Sequence, residues 1–409
     1  MNRRHFLKLI TAIALYSPFV RSSNKNLKIV VIGAGIIGTF IAYELSKYGI
    51  DVTLIDKNKP GSGTSGSSFN WVNATYPKKP YSYNYFAQLG INSYKNLLKE
   101  IDISIEWNGS LEWFNLRQDQ LDLLSEISQL MNYPTHTKHE IINSEQANIL
   151  EPSINFNNNK NIVYSKDDGT INTRELINLL IKNIKINGGK VITECEYKKL
   201  NFQKTNISSV STSLGNIDAN KVVFACGIDT NSLLSKNYLI KPTPGVIIKS
   251  KPYKKIINKI IVGPGIHFYQ QSNGQIIIGE QGSISITDAK SLKNRLERFS
   301  SRSIEMNYLN KIRSMGGEFF EDIFDLEIDE VSIGWRPIPI DGKPIIGRLD
   351  HNPNIYLATM HSGISLGPLV GSLVARELIQ DIEIPVLENF RPSRFCLLYT
   401  SDAADEVDG

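Results

Sequence analysis

The chain has 409 residues, 41% of them hydrophobic, enough for two domains with buried cores. Its 45 Lys and Arg against 41 Asp and Glu leave a net charge of +4, too balanced and dispersed for a nucleic-acid or membrane-surface footprint. Cys195, Cys226 and Cys396 stand far apart with no CxxC, so neither a disulfide framework nor a zinc site can be read.

The amino terminus, "NRRHFLKLITAIALYSPFV", has a twin arginine at Arg3 and Arg4, then Phe6, Leu7 and Lys8 and a short apolar run. It reads as a twin-arginine export signal over residues 1–24, predicting a periplasmic or membrane-associated protein; without export the protein would be cytoplasmic. As a helix, Leu9 to Val20 would reach only about 18 Å, short of the roughly 30 Å hydrocarbon core. A spanning helix is not expected.

Next comes a βαβ unit: "LKIVVI" as a buried strand, a helix from about Ile37 with Ile41 and Leu45 on one face, and "DVTLID" as the second strand. Between strand and helix stand Gly33, Gly35 and Gly38. The first permits a tight turn, the second lets the backbone approach a pyrophosphate, and the third lets the helix pack on the strand. Asp56 closes the second strand, where an acid accepts from a ribose 2′-OH and repels a 2′-phosphate. An adenine dinucleotide other than NADP is therefore expected.

The polar stretch that follows, "KNKPGSGTSGSSFNWVNATYPKKP", is too long for a plain connector and suits either a loop wrapped around a ligand or a mobile surface loop. Helices are expected near Tyr83–Glu100 and Arg117–Met131, and "DDGTINTRELINLLIKNIKINGG" reads as a turn, an Asn/Thr helix start and an amphipathic helix ending at Gly188. "KVVFACG" reads as a strand running into a glycine turn. Strands dominate from "GVIIKS" through "HFYQQSNGQIIIGE", where "SNG" joins a hairpin. In "NIYLATMHSGISLGPLVG" a strand delivers the chain through Gly363 into a helix expected to start near Leu366. Its N-terminus would stabilise the negative charge of a reduced flavin, which favours FAD over NAD. The tail "CLLYTSDAADEVDG", residues 396–409, carries four acids and no base, and is set apart from the fold.

Through "VIGAGIIG", "GTSGSSFNWVNA", "DGTINTREL", "VVFACG", "GWRPIPIDGKPIIG" and "HSGISLGP", the chain resembles the FAD-dependent D-amino-acid oxidase superfamily, closest to its glycine oxidase and D-amino-acid dehydrogenase-like branch. The resemblance covers most of residues 27–395. It implies an α/β fold with a Rossmann-like FAD-binding domain, discontinuous over 27–90, 145–235 and 330–395, and a second, β-rich substrate domain over 91–144 and 236–329. Candidate FAD contacts are Gly33, Gly35, Ile36, Ile37, Gly38, Asp56, Lys57, Thr64, Ser65, Ala225, Gly227, Gly363, Ile364, Ser365 and Leu366. No His or Cys stands within "GTSGSSFN", so the flavin is expected to be non-covalent.

In the family an arginine matching Arg336 clamps the substrate carboxylate, a task its planar fork suits. Pro337 and Pro339 would hold the backbone beside it extended. A structural ion pair is the other reading of Arg336. Tyr269 and His361 are further catalytic candidates, each with a packing or loop alternative, and His267 is equally ambiguous. The expected activity is oxidation of an amine or α-amino acid, D-amino acid or glycine-like, by hydride transfer to flavin N5, the imine then hydrolysing. Electrons would pass on to oxygen or a quinone. The alternatives are a 2-hydroxy acid dehydrogenase, which needs a general base such as His361 or His267, and a non-catalytic flavin-binding protein.

Overall fold

The computed structural model describes residues 26–73, 77–132, 139–157, 159, 161–233, 239–281 and 293–395. The twin-arginine segment, the acidic tail and Cys396 lie outside the described residues. The chain forms two units: the described parts of Met1–Ser65, Thr173–Pro242 and Pro337–Gly409, and those of Gly66–Asn172 and Thr243–Arg336.

These bounds differ from the expected ones. The described residues of 66–90, 145–172 and 330–336 belong to the second unit and 239–242 to the first. Strand pairing is the cause: Trp71–Val72 and Ile105–Glu106 both pair with Gly169–Ile171, and Ile162–Ser165 pairs with Ser110–Glu112. These hydrogen bonds tie the loop after Ser65 and the segment before Thr173 to one another rather than to the dinucleotide fingerprint.

The first unit is built on a six-stranded sheet in the order Ile345–Leu349, Asn352–Thr359, Lys221–Phe224, Lys28–Ile32, Asp51–Ile55, Lys190–Ile192. All neighbours run parallel except the first pair. Lys28–Ile32 and Asp51–Ile55 each bury four consecutive residues, as interior parallel strands covered on both faces must. Helix Ile36–Lys47 is buried over nearly its whole surface, whereas Thr173–Ile186 buries only Thr173, Leu176, Ile177, Leu180 and Ile184, the stripe that a 3.6-residue period aligns. A three-stranded antiparallel meander, Tyr197–Gln203, Asn206–Thr212 and Gly215–Asp218, closes a cluster in which Val210 and Ile207 join Val222, Phe224 and Ile32.

The last helix, Gly363–Gln380, begins three residues earlier than expected. Its glycines explain why. A Cβ on Gly367 would lie 2.5 Å from Phe40 Cδ2, and one on Gly371 2.9 Å from the Phe40 backbone. Gly363, Gly367 and Gly371, four apart on one helical face, let this helix approach Ile36–Lys47 closely. Glycines that looked like a loop are a packing surface.

The second unit carries an eight-stranded sheet in the order Ile328–Pro339, Ile240–Ser250, Ile276–Glu280, Ile266–Gln270, Ile260–Val262, Ser110–Glu112, Ile162–Ser165, His139–Ile142. The expected hairpin is there, Gln270 facing Ile276 and Gly274 taking φ +86° in the turn. Alternation gives the sheet two distinct faces. On one, Phe268 stacks on Phe320 and Phe319, with ring centroids 4.8 and 6.2 Å apart. On the other, Ile247, Ile260, Val262, Tyr269 and Ile277 form a cluster covered by Phe69 and Trp71. Among the described residues no helix is long and apolar enough to cross a membrane, and no group of three or more His, Cys, Asp or Glu could hold a metal.

Candidate active site

In the first unit the glycine turn does what its spacing requires. Gly33 has φ +104° and a Cβ there would lie 2.5 Å from Ala225 O, while a Cβ on Gly38 would overlap Gly33 O. Gly35 faces Ser65 instead: Ser65 Oγ accepts from Ile36 N at 3.0 Å, so the serine-rich loop folds back and caps the helix. The same loop is held by Gly61 N donating to Ala34 O at 2.9 Å, with Thr64 half-buried on it. Asp56 accepts from Ala34 N at 2.7 Å and Asn58 N at 2.8 Å, and burial is the main cause that raises its pKa.

Parallel strands put both helix N-termini at the carboxyl edge of the sheet, where ligands of open α/β sheets collect. The two lie side by side, since a Cβ on Gly363 would sit 3.2 Å from Ile36 Cγ2 and 3.4 Å from Ile37 Cγ1. The earlier helix start revises one expected contact. Leu366 N already bonds back to Ser362 O at 3.1 Å, so the first-turn N–H groups are those of Gly363, Ile364 and Ser365. His361, two residues before the helix, is exposed.

Beside the turn lies a cavity of about 210 Å³, whose walls include Gly33, Asp56 and Lys57. Its other walls are Ile32 and six residues that were not read as site residues from the sequence, Cys195, Glu196, Tyr197, Cys226, Asp229 and Ser232. Gly227, with φ +54°, opens the short turn that brings Asp229 to it. Lys57 pairs with Asp229 at 2.7 Å, a contact between residues 172 apart that no local pattern announces. Burial pushes the Cys226 thiol far up, making it an inert wall. A turn that forbids a Cβ, two adjoining helix N-termini, an acid at the strand end and a cavity beside them fit an adenine dinucleotide such as FAD.

In the second unit Arg336 Nη2 donates to Pro244 O at 2.9 Å, and its Nε is buried with no hydrogen-bond partner. Among the described residues no carboxylate pairs with it. Burial lowers its pKa and Tyr308 opposes that shift. A half-buried guanidinium with no carboxylate among the described residues has the chemistry to take an external anion. His267, half-buried on the same sheet face, has its pKa pushed down to about 4, first by burial and then by Arg336, so the ring is neutral at pH 7. Tyr269 is 1% exposed, and its hydroxyl accepts from Gln271 Nε2 at 3.2 Å and Asn70 Nδ2 at 3.5 Å. The structure places Tyr269 in the core; apolar neighbours on adjacent strands, invisible in sequence, bury it.

Residues 28–377 match the family described as DAO, FAD dependent oxidoreductase. The glycine oxidase of Bacillus licheniformis is 22% identical over 386 residues, which cover 90% of this chain and 98% of that protein. The glycerol 3-phosphate dehydrogenase of Caloramator mitchellensis is 26% identical over 271 residues, covering 61% of this chain and 54% of that protein. Among solved structures, L-proline dehydrogenase from P. horikoshii superposes with a TM-score of 0.79 at 22% identity, covering 91% of this chain and 98% of that one.

Proposed function

The chain belongs to the DAO family of FAD-dependent oxidoreductases, and on that premise we propose that it oxidises an amine bearing a carboxylate, an α-amino acid of the D or glycine-like kind. The observation that carries this reading is Arg336, a half-buried guanidinium with no carboxylate among the described residues. Its fork binds the substrate carboxylate through two parallel hydrogen bonds and so fixes the bond to be broken. When bound, FAD supplies the two-electron acceptor for the hydride that leaves the carbon beside nitrogen. Water then hydrolyses the imine to a carbonyl compound, the nitrogen leaving as ammonia from a primary amine or as an amine from an N-substituted one. No His or Cys in the loop after Asp56 is placed to attach the flavin, which supports non-covalent binding.

The relative named for glycerol 3-phosphate keeps a hydroxyl substrate in view. Oxidation at a hydroxyl needs a base to take its proton, and His267, at about 4, is a weak one. The test is purified yellow protein mixed anaerobically with a panel of amines, amino acids, 2-hydroxy acids and glycerol 3-phosphate while the flavin bleach is followed. Bleaching by carboxylate-bearing amines alone is expected; bleaching by the hydroxyl compounds alone overturns the reading, and none at all favours a non-catalytic protein. Oxygen and a quinone serve as the two acceptors to compare. The twin arginine supports export of the folded holoprotein to the periplasm: Arg3→Lys with Arg4→Lys should leave yellow protein in the cytoplasm, and normal export would refute it.

A further inference from the structure

The cavity beside the glycine turn has a charged rim. In the sheet of the first unit, Lys28–Ile32 lies between Asp51–Ile55 and Lys221–Phe224. Lys57 follows one flanking strand and Asp229 the other, so the two loops begin about 10 Å apart, two strand spacings. The ion pair between Lys57 Nζ and Asp229 Oδ2, at 2.7 Å, joins them past the end of the central strand. Ile32 and Gly33, at that end, wall the cavity together with Asp56 and both members of the pair. The two charged side chains are 53% and 32% exposed, so the pair stands on the solvent side of the cavity. Its posts are fixed. Asp56 N donates to Ile192 O at 3.1 Å and Cys195 N to Asp56 O at 2.8 Å, which holds the backbone next to Lys57. The buried Thr230 hydroxyl donates to Gly227 O at 2.8 Å and lies 2.9 Å from the Thr359 hydroxyl, which holds the turn carrying Asp229. What is free to move is the four-carbon stem of Lys57.

We infer that the Lys57–Asp229 pair is a strap across the mouth of the dinucleotide cavity, which must open for FAD to enter or leave and so sets the rate of cofactor exchange without setting its affinity. The inference rests on the FAD cofactor of the family and is independent of which substrate is oxidised. Each charge answers the other: the hydrogen bond to Asp229 is the main cause that raises the pKa of Lys57, so the ammonium stays charged at neutral pH. A pair this exposed favours its closed form over its open form by a factor of about two to five. Exchange in either direction is slowed by that same factor, because only the open fraction is competent. Opening asks for rotation of one side chain, and Asp56 and Glu196 act on the same ammonium, so the swung-out lysine keeps anionic neighbours. Salt screens exposed charges and therefore loosens the strap.

The test follows FAD itself. Release is timed on the FAD-loaded protein by the rise of free-flavin fluorescence on dilution, and uptake by its quenching when FAD is mixed with the full chain stripped of flavin. Asp229→Asn keeps the shape and removes one charge; Lys57→Met keeps most of the stem and removes the other. Each should speed release and uptake alike, by about two- to fivefold, leaving the Kd for FAD unchanged. The double variant should be no faster than either single one, because the same strap is lost only once. Between about 0.1 M and about 1 M sodium chloride the wild-type release rate should climb towards that of the variants. Asp218→Asn is the control for the general effect of charge on an anionic cofactor: it breaks the 2.9 Å pair with Lys28, at the opposite end of the central strand, and should exchange FAD as wild type does. FAD content after purification shows that each variant folds, and either single variant suffices if the other does not. Wild-type exchange rates in the folded variants, faster release without faster uptake, accelerations that multiply in the double variant, or an equal acceleration in Asp218→Asn would each overturn the inference.

Discussion

At the scale of single residues, the consequential groups are those whose charge the fold leaves uncompensated or barely compensated. For Arg336, lysine keeps the charge but loses the fork and with it the angle at which the substrate is held. Arg336→Lys should stay yellow and folded yet be reduced by a carboxylate-bearing amine on the order of 100-fold more slowly, measured by anaerobic stopped flow. Wild-type rates across the carboxylate substrates would make the residue structural. Asp56 makes a complementary case. Its carboxylate already serves two backbone donors, so Asp56→Ala should weaken FAD retention by about 1 to 3 kcal/mol, read as a faster loss of flavin on dilution. Unchanged retention would take Asp56 out of the cofactor site. Glu112 is 7% exposed, with Oε1 unpartnered, and burial followed by the nearby Asp168 raises its pKa from 4.5 to about 8. The folded chain therefore holds a proton that the unfolded chain releases between those values. Stability from this group is full below pH 4.5 and is lost as pH rises through about 8. Glu112→Gln cannot titrate, so its melting temperature should gain on wild type between pH 6 and pH 9; curves that stay parallel would contradict the burial of this carboxyl.

At the scale of elements, two helices and the strands that feed them set the cofactor edge, and their contact is glycine-made. Gly367→Ala would drive a methyl group into Phe40 and should cost about 1 to 3 kcal/mol in chemical denaturation. Gly63→Ala, with nothing within 4 Å of its Cβ, is the control and should be near neutral. Equal stability of the two variants would disprove close packing at this face. Much of this was legible beforehand: the strand Lys28–Ile32, the turn at Gly33 and the helix beginning at Ile36 follow from local spacing alone. The role of Gly363, Gly367 and Gly371 was not, because a glycine at four-residue spacing looks the same whether it opens a loop or admits a neighbouring helix. Only Phe40, more than three hundred residues earlier, settles which.

At the scale of the whole molecule, the sequence by itself determined the family, the FAD cofactor and the α/β class, because these rest on short segments whose physics is local: a βαβ turn that needs glycine, an acid at a strand end, alternation or helical periodicity in the strands and helices around them. It also singled out Arg336. What the tertiary structure decided was where the units divide, since the segment after Ser65 pairs with a strand about a hundred residues later. It likewise decided that Arg336 has no carboxylate partner among the described residues, that Tyr269 is core, and that Lys57 is committed to Asp229. Each of those facts is a statement about which distant side chain fills a given space. Burial and pairing across a sheet depend on register between segments far apart in the chain, and no pattern within either segment encodes it.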